Sequence, residues 1–266
     1  MTRPIPTDRP LAGRTALVVG ASRGIGAASA HALAAAGADV AITARSVEAL
    51  ESVGAELRES GSRVLTLAAD VLDPEAANRV VEQVSTELAA VDVLVYAAGQ
   101  GAAARFEDVS DATWTRLYEV NVLGAVRYSR AVLPAMRSQG WGRLIYIAST
   151  AAKYGTRYQA PYNASKHALL GLTKCLALES SVSGVTVNAV CPGFVDTEMV
   201  QDAVPAWAEL LGVDQAQVVP ALLGRVPIGR LLQPDEIAHL VAYVASPAAG
   251  GITGQGLTVD GGLILI

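Results

Sequence analysis

Tyr162 and Lys166 stand four residues apart in Ala160-Pro-Tyr-Asn-Ala-Ser-Lys166. On a helix that spacing puts the phenol and the ammonium on one face. A phenol loses its proton near pH 10, and a fixed cation beside it favours the phenolate. Such a pair can act as a general acid and base near neutral pH. Alone, a Tyr-xxx-Lys pair is most often packing with a snorkelling ammonium. Ser149, thirteen residues upstream and just past an apolar run, adds a hydroxyl that can hold a carbonyl oxygen while Tyr162 donates to it. Asn121 lies inside a helical stretch that its type disfavours, so its side chain is expected to open the helix and seat a water.

A second constellation suits phosphate. Gly20-Ala-Ser22-Arg23-Gly24-Ile25-Gly26 follows an apolar run and leads into an Ala-rich helix. Glycines there let the backbone approach a pyrophosphate, and the helix start offers free N–H groups. The spacing differs from GxGxxG. The next apolar run ends in Thr43-Ala44-Arg45-Ser46, without the acid that accepts ribose hydroxyls in NAD sites. Arg23 and Arg45 suit a 2′-phosphate instead, since guanidinium grips phosphate through paired hydrogen bonds. The cofactor expected is NADP(H), with NAD(H) second.

These residues need a scaffold. Strands are predicted over Thr15–Val19, Val40–Thr43, Val64–Ala68, Val91–Tyr96, Leu144–Ala148, Val185–Val190 and Leu257–Val259. Helices are predicted over Ala27–Ala36, Val47–Glu59, Glu75–Ala89, Thr113–Arg137, Ala164–Leu178 and Asp235–Val244. Continuous apolar strands alternating with helices signal a parallel sheet covered on both faces. The expectation is an α/β, Rossmann-type doubly wound fold of about seven strands, with a ligand crevice at the strands' carboxyl ends. Residues 1–12 are read as a flexible lead and 13–266 as one catalytic domain. Residues 194–226 lack a clean period and hold Phe194, Met199, Trp207, Leu210 and Leu211. They are read as a mobile lid over an apolar substrate.

Composition excludes some classes. Charged residues are only 17% against 52% hydrophobic, which suits a packed globule. The net charge of −5 and the lack of a basic run argue against nucleic acid. No apolar run is long enough for a membrane span. Cys175 and Cys191 form no CxxC pair, and with three histidines they make no visible metal set, so a reduced cytoplasmic protein is expected.

In this order and spacing, the motifs resemble the short-chain dehydrogenase/reductase family over nearly the whole chain. The matching residues are the glycine loop, Asp70-Val71, Asn121, Ser149, Tyr162, Lys166, Pro192-Gly193 and the terminal Val259-Asp-Gly-Gly262. The resemblance implies an Asn–Ser–Tyr–Lys tetrad: Tyr162 the acid/base, and Ser149 orienting the substrate oxygen. Lys166 would bind the nicotinamide ribose and depress the tyrosine pKa, and Asn121 would hold a water linking Lys166 to solvent. Asp70 would contact adenine and Pro192-Gly193 would line the nicotinamide. Ser46, Val71, Ala97, Ala98, Gly99, Val195 and Thr197 complete the expected cofactor contacts. The family's usual threonine before the loop is Val19 here, and its Asn-Asn-Ala-Gly is Tyr96-Ala-Ala-Gly99, which bears on cofactor affinity and local packing.

Ile147-Ala-Ser-Thr-Ala-Ala-Lys153, Val187-Asn-Ala-Val-Cys-Pro-Gly-Phe-Val195 and Arg225-Val-Pro-Ile-Gly-Arg230 are similar to bacterial ketoreductases of aromatic polyketide synthesis. Three-oxoacyl reductases share many of these motifs. The expected reaction is reduction of an apolar, cyclic or aromatic ketone, or of a β-keto thioester, with a carrier protein as one way to deliver it. The reverse reaction, alcohol oxidation, uses the same site. A cofactor-binding regulator without catalysis would not need Ser149, Tyr162 and Lys166 together. The resemblance also implies a homotetramer through the helices of Asn121 and Tyr162 and the last strand. The apolar tail Leu263–Ile266 fits burial at such a contact.

Overall fold

A computed structural model describes residues 9–265. Seven strands form one parallel sheet: β1 (Thr15–Val19), β2 (Asp39–Ala44), β3 (Val64–Ala68), β4 (Val93–Tyr96), β5 (Gly142–Ile147), β6 (Val185–Pro192) and β7 (Gly256–Val259). Their order is β3-β2-β1-β4-β5-β6-β7. The order reverses between β1 and β4, and a crevice opens there at the carboxyl ends.

Helices cover both faces because successive residues of each strand point to opposite sides. Val18, Ile42, Val95 and Ile145 pack against α1 (Gly24–Ala35), α2 (Val47–Glu59) and α9 (Pro234–Ala245). Leu17, Leu94, Leu144 and Val187 pack against α3 (Ala76–Glu87), α5 (Gly124–Gln139) and α6 (Ala160–Ser180). The continuous apolar runs of β1, β2, β4, β5 and β6 are thus strands buried on two faces, while the edge strands β3 and β7 are only partly buried.

Three expectations need correction. The first is the flexible lead over 1–12. Residues 1–8 lie outside the described residues, but Leu11 is fully buried and its N–H donates to Ala36 O at 2.8 Å. One leucine between Pro10 and Gly13 carries no periodicity, so only packing reveals it. The second is the single helix over 113–137, which is divided into α4 (Asp111–Tyr118), a π-helical turn (Glu119–Leu123) and α5. Pro134 continues inside α5 instead of ending it. Finally, the stretch 194–226 is largely helical, as α7 (Glu198–Leu211) and α8 (Gln215–Leu223). Pro205 and Pro220 sit within these helices and mask their period. Its first residues are not free: Val195 is buried and bridges to Leu232, whose N–H donates to Phe194 O. At the other terminus, Ile266 of the apolar tail lies outside the described residues.

Candidate active site

Ser149 follows β5 and begins a short 3-10 turn, its hydroxyl accepting from Ala151 N–H at 3.1 Å. Lys153 closes that turn and ties it to β7 by donating from Nζ to Thr258 Oγ1 at 2.7 Å. Tyr162 enters from the first turn of α6, where Pro161 presets the backbone. Asn163 is buried and fixes the approach: its amide donates to Gln159 O and Thr156 Oγ1 and accepts from Thr156 N–H. One turn later Lys166 is buried, with Nζ donating to Ile147 O at 2.9 Å and lying 5.6 Å from the Tyr162 ring centroid.

Asn121 sits in the π-helical turn and is fully buried. Its Oδ1 accepts from Gln100 N–H at 2.8 Å. Its Nδ2 donates to Gln100 O and to Ser165 Oγ, each at 2.9 Å. Ser165 in turn donates to Tyr162 O at 2.8 Å. Asn121 and Lys166 border the same small space: a Cβ added at Gly99 would lie 3.4 Å from Lys166 Nζ and 3.5 Å from Asn121 Oδ1.

The electrostatics differ from the expectation in one respect. The resemblance implies that Lys166 depresses the Tyr162 pKa, yet Tyr162 is held above 10, because burial disfavours the phenolate more than the Ser149 hydroxyl favours it. Burial also brings Lys166 down to about 8. Its ammonium is committed to a carbonyl at the end of β5.

The phosphate end is built from close approaches. Gly20 has φ +84°, and a Cβ there would lie 2.5 Å from Ala98 N. A Cβ at Gly26 would collide with Gly20 O. Gly20 and Ala21 N–H both donate to Thr43 O, which fixes the loop to β2. Arg23 precedes α1 without capping it by its side chain, so the helix start faces the loop with its N–H groups. Arg23 itself is exposed and ion-paired with Glu198 at the start of α7. Arg45 is exposed past the end of β2. Ser46 spends its hydroxyl on capping α2 through Ala49 N–H at 3.3 Å.

The remaining expected contacts share this end of the sheet. Asp70 follows β3 and accepts from Leu72 N–H at 3.0 Å. Val71 O accepts from Arg127 at 3.0 Å. Ala97, Ala98 and Gly99 follow β4, with Ala97 N–H donating to Val19 O. Pro192 ends β6, and Gly193 N–H donates to Val259 O at 2.9 Å. Thr197 begins α7, its methyl 3.2 Å from where a Cβ of Gly24 would be.

Two residues escape a reading by motif. Tyr96 is fully buried, and its hydroxyl donates to Val120 O at 2.6 Å, the carbonyl just before Asn121. Its signal is a tyrosine standing where the family has asparagine. Tyr158, ahead of α6, has φ +62°, a strained conformation for a non-glycine residue. Its ring meets Trp207 of α7 edge-on at 6.4 Å, joining α7 to the loop before Tyr162.

With the geometry in place, comparison with known proteins defines the class. The short chain dehydrogenase family model matches residues 14–207. A Streptomyces coelicolor protein named as a ketoacyl reductase is 40% identical over 250 residues, 93% of this chain and 96% of that protein. The Escherichia coli 3-oxoacyl-[acyl-carrier-protein] reductase FabG is 38% identical over 254 residues, 96% of this chain and 98% of that one. A crystal structure of a phenylalanine-to-tryptophan variant of actinorhodin polyketide ketoreductase with NADPH superposes with a TM-score of 0.91 at 39% identity, covering 94% of this chain and 97% of that one. The chain belongs to the short-chain dehydrogenase family and is an oxidoreductase of that family.

Proposed function

We propose that this protein reduces a ketone to a secondary alcohol with NADPH, and that Tyr162 donates the proton to the substrate oxygen. The observation that carries the reading is the convergence of Ser149, Tyr162 and Lys166 at the carboxyl end of β5, beside the switch point between β1 and β4. The residues fit a dinucleotide: Gly20 lets the loop lie against the Ala97–Ala98 backbone, Gly26 lets α1 lie against the loop, and α1 starts without a side-chain cap, which leaves its N–H groups for a phosphate. When bound, NADPH supplies the hydride.

The chain's own groups do the rest. The Ser149 and Tyr162 hydroxyls hold the carbonyl oxygen between them, and Tyr162 gives up its proton as negative charge develops there. Burial keeps Tyr162 protonated until that moment. The Lys166 ammonium, held by Ile147 O, then stabilises the phenolate that remains. Lys166 and Asn121 flank the space beside Gly99, through which a water returns the proton. Arg45 recognises the 2′-phosphate. Tyr158, Trp207 and the half-exposed Met199 offer an apolar surface to a cyclic, aromatic or β-keto thioester substrate.

A panel of cyclic, aryl and β-keto thioester ketones assayed with NADPH and NADH tests this reading. Turnover is expected with NADPH. Arg45→Asp is expected to weaken NADPH binding by about 10- to 100-fold, with little change for NADH. Equal losses for both cofactors would remove the 2′-phosphate role; no oxidation of NADPH by any ketone would remove the activity. A homotetramer is the inferred assembly, supported by Leu178 (81% exposed) near the end of α6, Val182 (94%) in the turn after it and Leu265 (89%) in the tail. Light scattering returning the mass of one chain would refute it.

A further inference from the structure

Lys153 closes the short turn that Ser149 begins, and the chemistry described so far gives its charge no task. It is half-buried, and among the described residues no carboxylate pairs with it. A lysine so placed ordinarily lays its stem on apolar surface and keeps its ammonium in water. Here the side chain runs inward over the sheet. Cys191 on β6 and Thr258 on β7 are paired in register, so their side chains leave the same face. Gly256, two residues before Thr258, leaves the gap for the stem: a Cβ there would lie 3.3 Å from Lys153 Cε, 3.5 Å from Cys191 Sγ and 2.8 Å from Leu170 Cδ1. Past that gap Nζ meets Thr258 Oγ1 at 2.7 Å, a charge-assisted bond to a neutral acceptor.

The turn has little else to hold it. Ala152 N–H donates to Ser149 O at 3.0 Å and Lys153 N–H to Thr150 O at 2.8 Å. Bonds of this 3-10 type are less well aligned than those of an α-helix. Beneath the turn lies a small separate cluster of Ala148, Ala152, Ala189 and Cys191, with Leu170 against it. Side chains this small make few contacts, so packing fixes the turn loosely. Burial pushes the Cys191 thiol up, while Lys153, the Ser149 backbone and Lys166 each pull it down, which sets all three around one sulfur. At the head of the turn, Ser149 Oγ accepts from Ala151 N–H at 3.1 Å, so a shift of the turn moves the hydroxyl with it.

We propose that Lys153 is a positioning residue for the reduction: its bond to Thr258 anchors the turn to the edge strand β7 and fixes where the Ser149 hydroxyl meets the substrate oxygen. The inference rests on the role proposed for Ser149. A hydroxyl that stabilises charge in the transition state loses much of its effect when it is displaced by about 1 Å.

Steady-state kinetics with NADPH and a ketone that wild type turns over test it. Thr258→Val keeps the shape and the strand preference and removes the acceptor. Its kcat should fall about tenfold, with the KM for NADPH unchanged. Thr258→Ser returns the acceptor and should bring kcat back to within about twofold of wild type. Lys153→Met keeps most of the stem and should match Thr258→Val. The deciding variant adds Thr258→Val to Ser149→Ala. With no hydroxyl left to position, the residual kcat of Ser149→Ala should fall by less than about twofold more. A further tenfold loss there would show that the bond supports the fold at large, and would overturn the proposal. So would wild-type kcat in both Thr258→Val and Lys153→Met. If Lys153→Met does not fold, Thr258→Val and Thr258→Ser decide. Turnover of no ketone by wild type would remove the role of Ser149 and this proposal with it; an active wild type with unchanged variants removes this proposal alone.

Discussion

Two buried cations meet β5 at its two ends. Lys166 reaches Ile147 O, the last carbonyl of the strand, and Arg143 lies at its start. Burial brings both below their ordinary ranges, Lys166 to about 8 and Arg143 to about 10. The company differs. Lys166 stands beside the Tyr162 phenol and near Asn121, groups that can hand on a proton or hold its path. Arg143 stands on an aromatic face beside another guanidinium, where nothing exchanges protons. The same cost, a desolvated charge, stands beside a proton-bearing phenol at one end and on an aromatic face at the other.

Removing the proton from the active end should have the largest effect. Tyr162→Phe keeps the ring and its packing and deletes only the hydroxyl. Turnover is expected to fall by about 10³-fold, with NADPH affinity within a few-fold of wild type. Steady-state assays with fluorescence titration of NADPH check both; near-normal turnover would end the assignment of Tyr162.

Much of this is readable in the chain and some is not, for definite reasons. Strands with apolar residues on both faces announce themselves as runs, and β1, β2, β3 and β7 match their predicted spans within a residue at each end. The other three shift by two residues: β4 starts later than read, β5 starts earlier and β6 ends later. Ser149 stands just past β5, as its spacing suggests, whereas Tyr162 lies inside α6, which begins at Ala160 and not at Ala164, because Pro161 is accepted in the first turn of a helix. Asn121 is visible as a poor helix former, and the structure answers with a π-helical turn. Arg143 is missed because the predicted strand begins at Leu144, leaving the arginine outside as surface. Tyr96 shows in the sequence only as a departure from the family motif, because an apolar run conceals the partner of its hydroxyl. The helices α7 and α8 are missed because Pro205 and Pro220 interrupt their period, while their ends are set by features such as the Asp214–Gln217 capping box.

The contrast between the two cations sharpens with pH. Folded Lys166 loses its proton near 8, but an unfolded lysine does so near 10.5. Between those values the unfolded state binds more protons, so stability rises with pH. The penalty for burying the charge is present in full below pH 8 and is relieved above it. Compared with Lys166→Met, wild type should gain about 2 kcal/mol between about pH 7.5 and 9.5. Arg143 holds its charge up to about 10, so the same comparison with Arg143→Met should change far less over that interval. Urea unfolding at the two pH values measures both differences. Parallel curves would mean that Lys166 is not the more readily neutralised cation.

The smallest effect expected concerns how the active end is held in shape. Tyr96 donates to Val120 O, and Gly124 makes room, since a Cβ there would collide with the Tyr96 hydroxyl. Helix preference alone favours alanine over glycine at an interior position by about 1 kcal/mol. Gly124→Ala should nevertheless destabilise the protein, because the collision is with a buried, bonded group. Tyr96→Phe should cost about 1–2 kcal/mol through the lost hydrogen bond and lower kcat a few-fold while leaving NADPH affinity unchanged, because only the seat of Asn121 is disturbed. When Tyr96→Phe and Gly124→Ala are combined, the hydroxyl is gone and the alanine loses its nearest obstacle. The double variant should therefore be more stable than the sum of the two single losses, by about 1 kcal/mol on urea unfolding. Additive losses would separate Tyr96 from the π-helical turn, and leave Asn121 placed by Gln100 and Ser165 alone.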